Sequence, residues 1–239
     1  MSTPVWCADL AAQFWAAAGP PPRFPRDLLA PVAVGFPVTV IHRHRLSVAR
    51  VVEWFTDRSI RLRLDELDRP LRACLVADRG QGFIFLEAAD DPAERRFSLA
   101  HEVAHFLRDY WHLRETTNQR LGPNIQAVLD GHRAPTLEER VQAVLRNVPV
   151  GPFTHLLRRD ESGRPLTPTE SEAEAAADRL AFELLAPVSA LGSIVNRASL
   201  LGRLVKEFGL PPAPAGRYAA ILVPELIGSG PVIGRIIRS

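Results

Sequence analysis

The chain has 239 residues, 46% of them hydrophobic, which is enough for one ample core with appendages. Its 29 basic and 27 acidic residues leave a formal net charge of +2, so charge makes no general case for a nucleic-acid or membrane surface. Cys7 and Cys74 make no disulfide framework, no apolar run is long enough to cross a membrane, and the N-terminus lacks a basic segment followed by an apolar one. A reduced, cytoplasmic protein is expected, with no membrane contact and no direct nucleic-acid binding.

Val5 to Ala18 reads as a helix with Trp6, Leu10, Phe14 and Ala17 on one side. Gly19-Pro20-Pro21-Pro22 stops it, and its apolar side is expected to dock on the main body. The stretch 26–41 is apolar but broken by Pro31, Gly35 and Pro37, giving a helical turn and then a strand at 38–42. His42-Arg43-His44-Arg45 is basic without interleaved aromatics, which favours a solvated turn. Leu46 to Phe55 is helical, with Leu46, Val48, Val51, Val52 and Phe55 apolar and Trp54 completing the buried side. Ile60, Leu62 and Leu64 alternate with Arg61 and Arg63, as in a half-buried strand. Arg72 to Ala77 and Phe83 to Leu86 form two more strands, joined through Gly80-Gln81-Gly82. No lysine or helix start follows those glycines, so they are not a phosphate loop.

Asp90-Asp91-Pro92 has the chemistry of a helix start. Phe97, Ala100, Ala104, Leu107 and Trp111 then recur as an apolar stripe, with His101, His105, Arg108 and His112 along its edge. Inside this helix lies His101-Glu102-Val103-Ala104-His105. Residues four apart share a helix face, so both imidazoles can aim at one point, as a tetrahedral zinc ion requires. Glu102 stands where a carboxylate can take a proton from a water activated by the metal. Catalytic zinc usually has three protein ligands, so a third is needed.

Residues 114–130 are polar, apart from a short helix around Ile125, Val128 and Leu129 that ends at Gly131. Another helix runs from Pro135 to Leu145, with Thr136 as N-cap and Glu139 three residues on. Residues 148–157 are mixed and 158–168 form a polar loop. His112, His132 and His155 lie in or near this segment, and one of them, or Tyr110, could stabilise an oxyanion. The Ala- and Glu-rich stretch 170–187 is a strong helix stopped by Pro187. Glu174 and Asp178 share a face on it, and Ala177 and Ala181 allow close approach to the first helix. A carboxylate here can complete the site, with Asp178 accepting the spare ring N–H of a ligand histidine. Composition does not choose Glu174 over Glu170 or Glu172.

Beyond Pro187, residues 188–195 and 200–208 look helical, the second with Leu200, Leu201, Leu204, Val205 and Phe208 on one face and Gly209 as cap. Pro211-Pro212-Ala213-Pro214 interrupts where the recognition helix of a helix-turn-helix would fall. Residues 218–223 and 232–237 read as strands or extended segments.

The stretch from Arg95 to Leu107, RRFSLAHEVAHFL, resembles the signature of the ImmA/IrrE metallopeptidases, roughly R-x-F-[ST]-L-A-H-E-[LIV]-[GA]-H. A second family block, E-x-x-A-[ND]-x-[FL]-A-x-x-L-L-x-P, is matched by Glu174, Ala177, Asp178, Leu180, Ala181, Leu184, Leu185 and Pro187. That alignment selects Glu174 as the third ligand. Two departures stand out: Ala186 replaces the usual Met before the final Pro, and the gap between His105 and Glu174 is long enough for an insertion. The resemblance spans roughly residues 45–190 and implies a zincin-like fold, a metal held by His101, His105 and Glu174, and Glu102 as the catalytic base. It also implies hydrolysis of a peptide bond in a helix-turn-helix repressor, with the substrate paired along an edge strand of the sheet.

The expectation is therefore an α+β, zincin-like metallopeptidase core: a small mixed sheet, the helix of His101 and His105, and a second glutamate-bearing helix. Residues 1–44 form an N-terminal helix and proline-rich extension, 45–190 the metallopeptidase domain with an insertion at about 114–168, and 191–239 C-terminal helices and a tail. Zinc is the expected metal, with manganese compatible with the same donors. The alternative is a metal-stabilised module that grips a repressor or toxin partner without cutting it. The sequence leaves the oligomeric state open.

Overall fold

A computed structural model describes residues 3–60, 68–150, 167–193 and 196–223. Three strands form one sheet in the order β1-β3-β2. β1 (Val38–Arg43) runs parallel to β3 (Gln81–Glu87), with Val38 opposite Gly82 and Arg43 opposite Glu87. β2 (Ala73–Asp78) pairs antiparallel with β3, Ala73 opposite Leu86 and Asp78 opposite Gln81. The β2–β3 hairpin turns on Arg79 and Gly80, both at positive φ, the two-residue geometry whose twist matches the strands.

The alternation along β3 divides the core. Phe83 and Phe85 face α3 (Val48–Thr56), where they pack with Val51, Trp54 and Phe55. Ile84 and Leu86 face the main core around α4 (Pro92–His105). α4 starts where Asp91 caps it, its carboxylate accepting the N–H groups of Ala93 and Glu94 at 2.8 and 3.0 Å. After His105 the helix widens into a π-helical stretch, Phe106–Trp111, a feature the sequence pattern did not suggest. It then continues as α5 (His112–Leu121), so much of the polar segment 114–130 is helical, followed by the short α6 (Gln126–Leu129). α7 (Leu137–Leu145) carries a complete Thr136–Glu139 capping box.

α8 (Pro168–Leu185) lies antiparallel against α4: Phe97 meets Phe182 at one end, and His101 meets Glu174 and Asp178 further along. Its residues from Ala177 onward supply a buried face of Ala177, Leu180, Ala181, Phe182, Leu184 and Leu185. α1 (Val5–Ala18) docks on α8, with α2 (Leu29–Gly35) beside it. The buried stripe of α1 is Cys7, Leu10, Ala11 and Phe14, so Trp6 points outward instead of inward.

The C-terminal region departs from the sequence expectation. Val188–Ala190 forms only a 3-10 turn, and α9 spans Arg197–Lys206. Tyr218–Leu222 is the end of a helix, α10 (Pro212–Leu222), not a strand. The prolines start it: Pro212 occupies the first turn, where a missing N–H costs nothing. α10 inserts Tyr218, whose ring stacks on Phe182 at 4.4 Å and whose hydroxyl donates to the Ala186 carbonyl. The expected strand residues Leu62 and Leu64, the mixed and loop segment 151–166, His155 and the extended segment 232–237 lie outside the described residues. Among the described residues no helix is long and apolar enough to cross a membrane. The architecture is α+β, consistent with a zincin-like peptidase domain.

Candidate metal centre

His101 and His105 project from one face of α4, and Glu174 reaches them from α8. The two Nε2 atoms are 3.2 Å apart. Glu174 Oε2 lies 3.3 Å from His101 Nε2, and Glu174 Oε1 lies 3.5 Å from His105 Nε2. A tetrahedral ion with bonds of about 2.0–2.1 Å has edges of about 3.3 Å between ligands. The two imidazole nitrogens, and the Glu174 carboxylate with one oxygen toward each of them, therefore stand near the spacing of such a tetrahedron, and the residues fit a divalent metal.

The far nitrogens explain why the Nε2 atoms converge. His101 Nδ1 meets Asp178 Oδ1 at 3.0 Å, and His105 Nδ1 meets Asp109 Oδ2 at 2.8 Å. A carboxylate at Nδ1 holds the proton there and leaves the Nε2 lone pair for an ion. Each carboxylate is in turn held by an arginine. Arg217 Nε donates to Asp178 Oδ2 at 3.0 Å, and Arg108 Nη2 lies 2.6 Å from Asp109 Oδ1. Without an ion, burial pulls the His101 imidazole down, but the bonds to Asp178 and Glu174 outweigh it and raise it from its ordinary value to about 10. His105 is likewise pulled down by burial and raised on balance by Asp109 and Glu174.

The other acids of α8 have different work. Glu170 caps the helix, accepting the Thr167 N–H at 2.8 Å, and Glu172 is exposed. Glu102 is buried but lines a cleft of 550 Å³ together with His101, Glu174 and Asp178. One wall of the cleft is the stretch from Arg69 to Ala73 leading into the edge strand β2, and another is Ala213, Pro214 and Arg217 of α10.

Tyr110 is fully buried and accepts the Gly80 N–H at the hairpin turn, away from the cleft. His112 and His132 are exposed and do not line the cleft. Among the described residues the cleft's side-chain donors besides His101 are Arg69, Arg72, Ser98 and Arg217. Sequence reasoning missed Asp109 and Arg217. Asp109 had a signal, since it stands four residues after His105 as Asp178 stands four after Glu174. Arg217 had none, because the helix that carries it was not read as one and only its end, 218–223, was assigned, to a strand or extended segment.

Two imidazoles and a carboxylate with a glutamate beside them, three of the four lining a cleft, have the chemistry of a metal-dependent hydrolase. Residues 58–124 match the family model Peptidase_M78, the IrrE N-terminal-like domain, in agreement with the resemblance of the Arg95–Leu107 stretch. The match suggests metal-dependent protease activity. The matched span holds His101, Glu102 and His105 and ends before α8, so Glu174 and Asp178 join from outside it. No curated protein and no solved structure matches the chain.

Proposed function

We propose that the chain is a zinc-dependent endopeptidase that cuts a helix-turn-helix transcriptional repressor at an exposed segment. The observation that carries the metallopeptidase reading is the convergence of His101, His105 and Glu174 donors within 4.8 Å of one another, with Glu102 facing the cleft that His101 and Glu174 line. The repressor rests on the family resemblance. Zinc suits two imidazoles and one carboxylate, and manganese is the other ion compatible with them.

His101, His105 and Glu174 would hold the ion, which when bound supplies Lewis acidity for the scissile carbonyl and the attacking water. Asp178 and Asp109 keep both imidazoles in the tautomer that binds through Nε2. Glu102 receives the water's proton on its carboxylate and hands it to the departing amine nitrogen, acting first as base and then as acid. An extended substrate lies along the edge strand β2, whose Ala73 end borders the cleft, and pairs with it through backbone hydrogen bonds.

The test has two parts. Elemental analysis of the purified chain should find about one zinc per molecule, most of it lost in Glu174→Ala. Incubation with a candidate repressor should yield two fragments, and Glu102→Gln should leave the repressor whole. A repressor held uncut in a stable complex by the metal-loaded chain means a binding module instead of a peptidase. A chain that takes up no metal when supplied with it defeats the reading altogether.

A further inference from the structure

Glu174 occupies an unusual place on α8. None of residues 168–176 is buried, and the first buried side chain of the helix is Ala177. The capping box fixes the start of the helix to itself and not to α4. The tight apolar interlock of the two helices, Phe97 against Phe182, lies two helical turns further along. The stretch that carries Glu174 is therefore held less by packing than the rest of the helix.

Arg108 supplies what packing does not. It extends from the π-helical stretch just after His105, and its side chain is only 24% exposed. Its Nη1 donates to the Ala173 carbonyl at 2.9 Å, on the residue immediately before Glu174. Its Nη2 pairs with Asp109, the carboxylate that orients His105. One planar guanidinium thus grips the backbone beside one donor and the carboxylate behind another. The fixed fork of arginine suits a double hold that a lysine cannot reproduce.

We infer that Arg108 is a positioning residue that joins the two helices at the metal site and sets the place of Glu174 relative to His105. The inference rests on the metal-site reading above. Its consequence is an affinity effect: removing the brace lets Glu174 wander, and loss of a supporting partner of this kind weakens metal binding by about 10–100-fold.

The experiment is a double-mutant cycle on the full metal-stripped chain with Co2+ as probe, read by visible absorption and chelator competition. The four proteins are the parent, Arg108→Met, Glu174→Ala and the double variant; Arg108→Lys takes the place of Arg108→Met if melting shows the latter unfolded. Arg108→Met should weaken Co2+ binding by about 10–100-fold in the parent. It should cost clearly less once Glu174 is gone, because the part of the effect that runs through that carboxylate disappears and only the hold on Asp109 remains. An equal loss in both backgrounds would make Arg108 a general structural residue and overturn the inference. So would parental affinity in Arg108→Met. If the parent itself fails to bind Co2+, the metal-site reading falls and takes the inference with it.

Discussion

Metal uptake at this site has to expel a proton, and the size of that effect follows from the histidine environment. Hydrogen bonds to Asp178 and Glu174 overcome burial and hold the metal-free His101 imidazole at about 10. At pH 7 it is then three units below its midpoint and protonated about a thousandfold over neutral. Freeing Nε2 for a metal costs about 4 kcal/mol at that pH, and the apparent affinity should improve about tenfold for each unit between pH 7 and 9. Calorimetry at pH 7.5 in two buffers of different ionisation enthalpy counts the protons, and at least one should leave per ion. The same linkage sets opposite trends in stability. The metal-free fold gains from protonated His101 fully below about pH 6.5, and loses that gain as pH rises toward 10. The ion stabilises more as its affinity grows, so the rise in melting temperature on adding zinc should widen from pH 6.5 to 9. Affinity flat across pH 7–9, with heats independent of buffer, would refute the reasoning.

Three further outcomes are expected. Glu102→Gln should bind metal as the parent does while cleaving at least about a hundredfold more slowly, and parental turnover in a cleavage assay would remove Glu102 from its proposed role. Asp178→Asn takes away the carboxylate behind His101 Nδ1 and should weaken zinc binding by about 10–100-fold in a chelator titration; unchanged affinity would show that imidazole orientation is set elsewhere. Phe182→Ala empties a site 1% exposed, between Tyr218 and Phe97, and should lower unfolding free energy by about 3–5 kcal/mol in denaturant titration, with a loss under about 1 kcal/mol contradicting the packing described.

Spacing alone was enough to place His101 and His105 on one helix face, because the helical period needs no tertiary information. Asp91 and Pro92 marked the start of α4 for the same local reason. The hairpin was legible from its apolar runs and glycine, whereas the parallel partnership of β1 with β3 was not, since α3 and β2 intervene in the chain. Choosing Glu174 required the family pattern: Glu170 and Glu172 are its equals until capping and exposure separate them in three dimensions. Tyr218–Val223 misled because a short apolar run looks the same as strand or helix, and the prolines before it were read as a break when they form a first turn. Asp109 was within reach of the same reasoning, since it stands four residues after His105, a spacing that the sequence reading used, among the carboxylates, for Glu174 and Asp178 alone.

The two halves of α8 live under different rules. From Ala177 on, the helix is anchored in the core by α4, α1 and Tyr218 of α10; before it no side chain is fully buried, and Arg108 holds the backbone beside Glu174. It behaves as a lever with a fixed end and a working end. Loss of a buried apolar side chain at the fixed end should lower the melting point and, below that point, leave the donor triangle standing. Loss of Glu174 at the working end should weaken metal binding while removing no buried side chain. Buried apolar positions and metal-facing positions thus fall mostly on different halves of one helix, with Asp178 the exception in the anchored half.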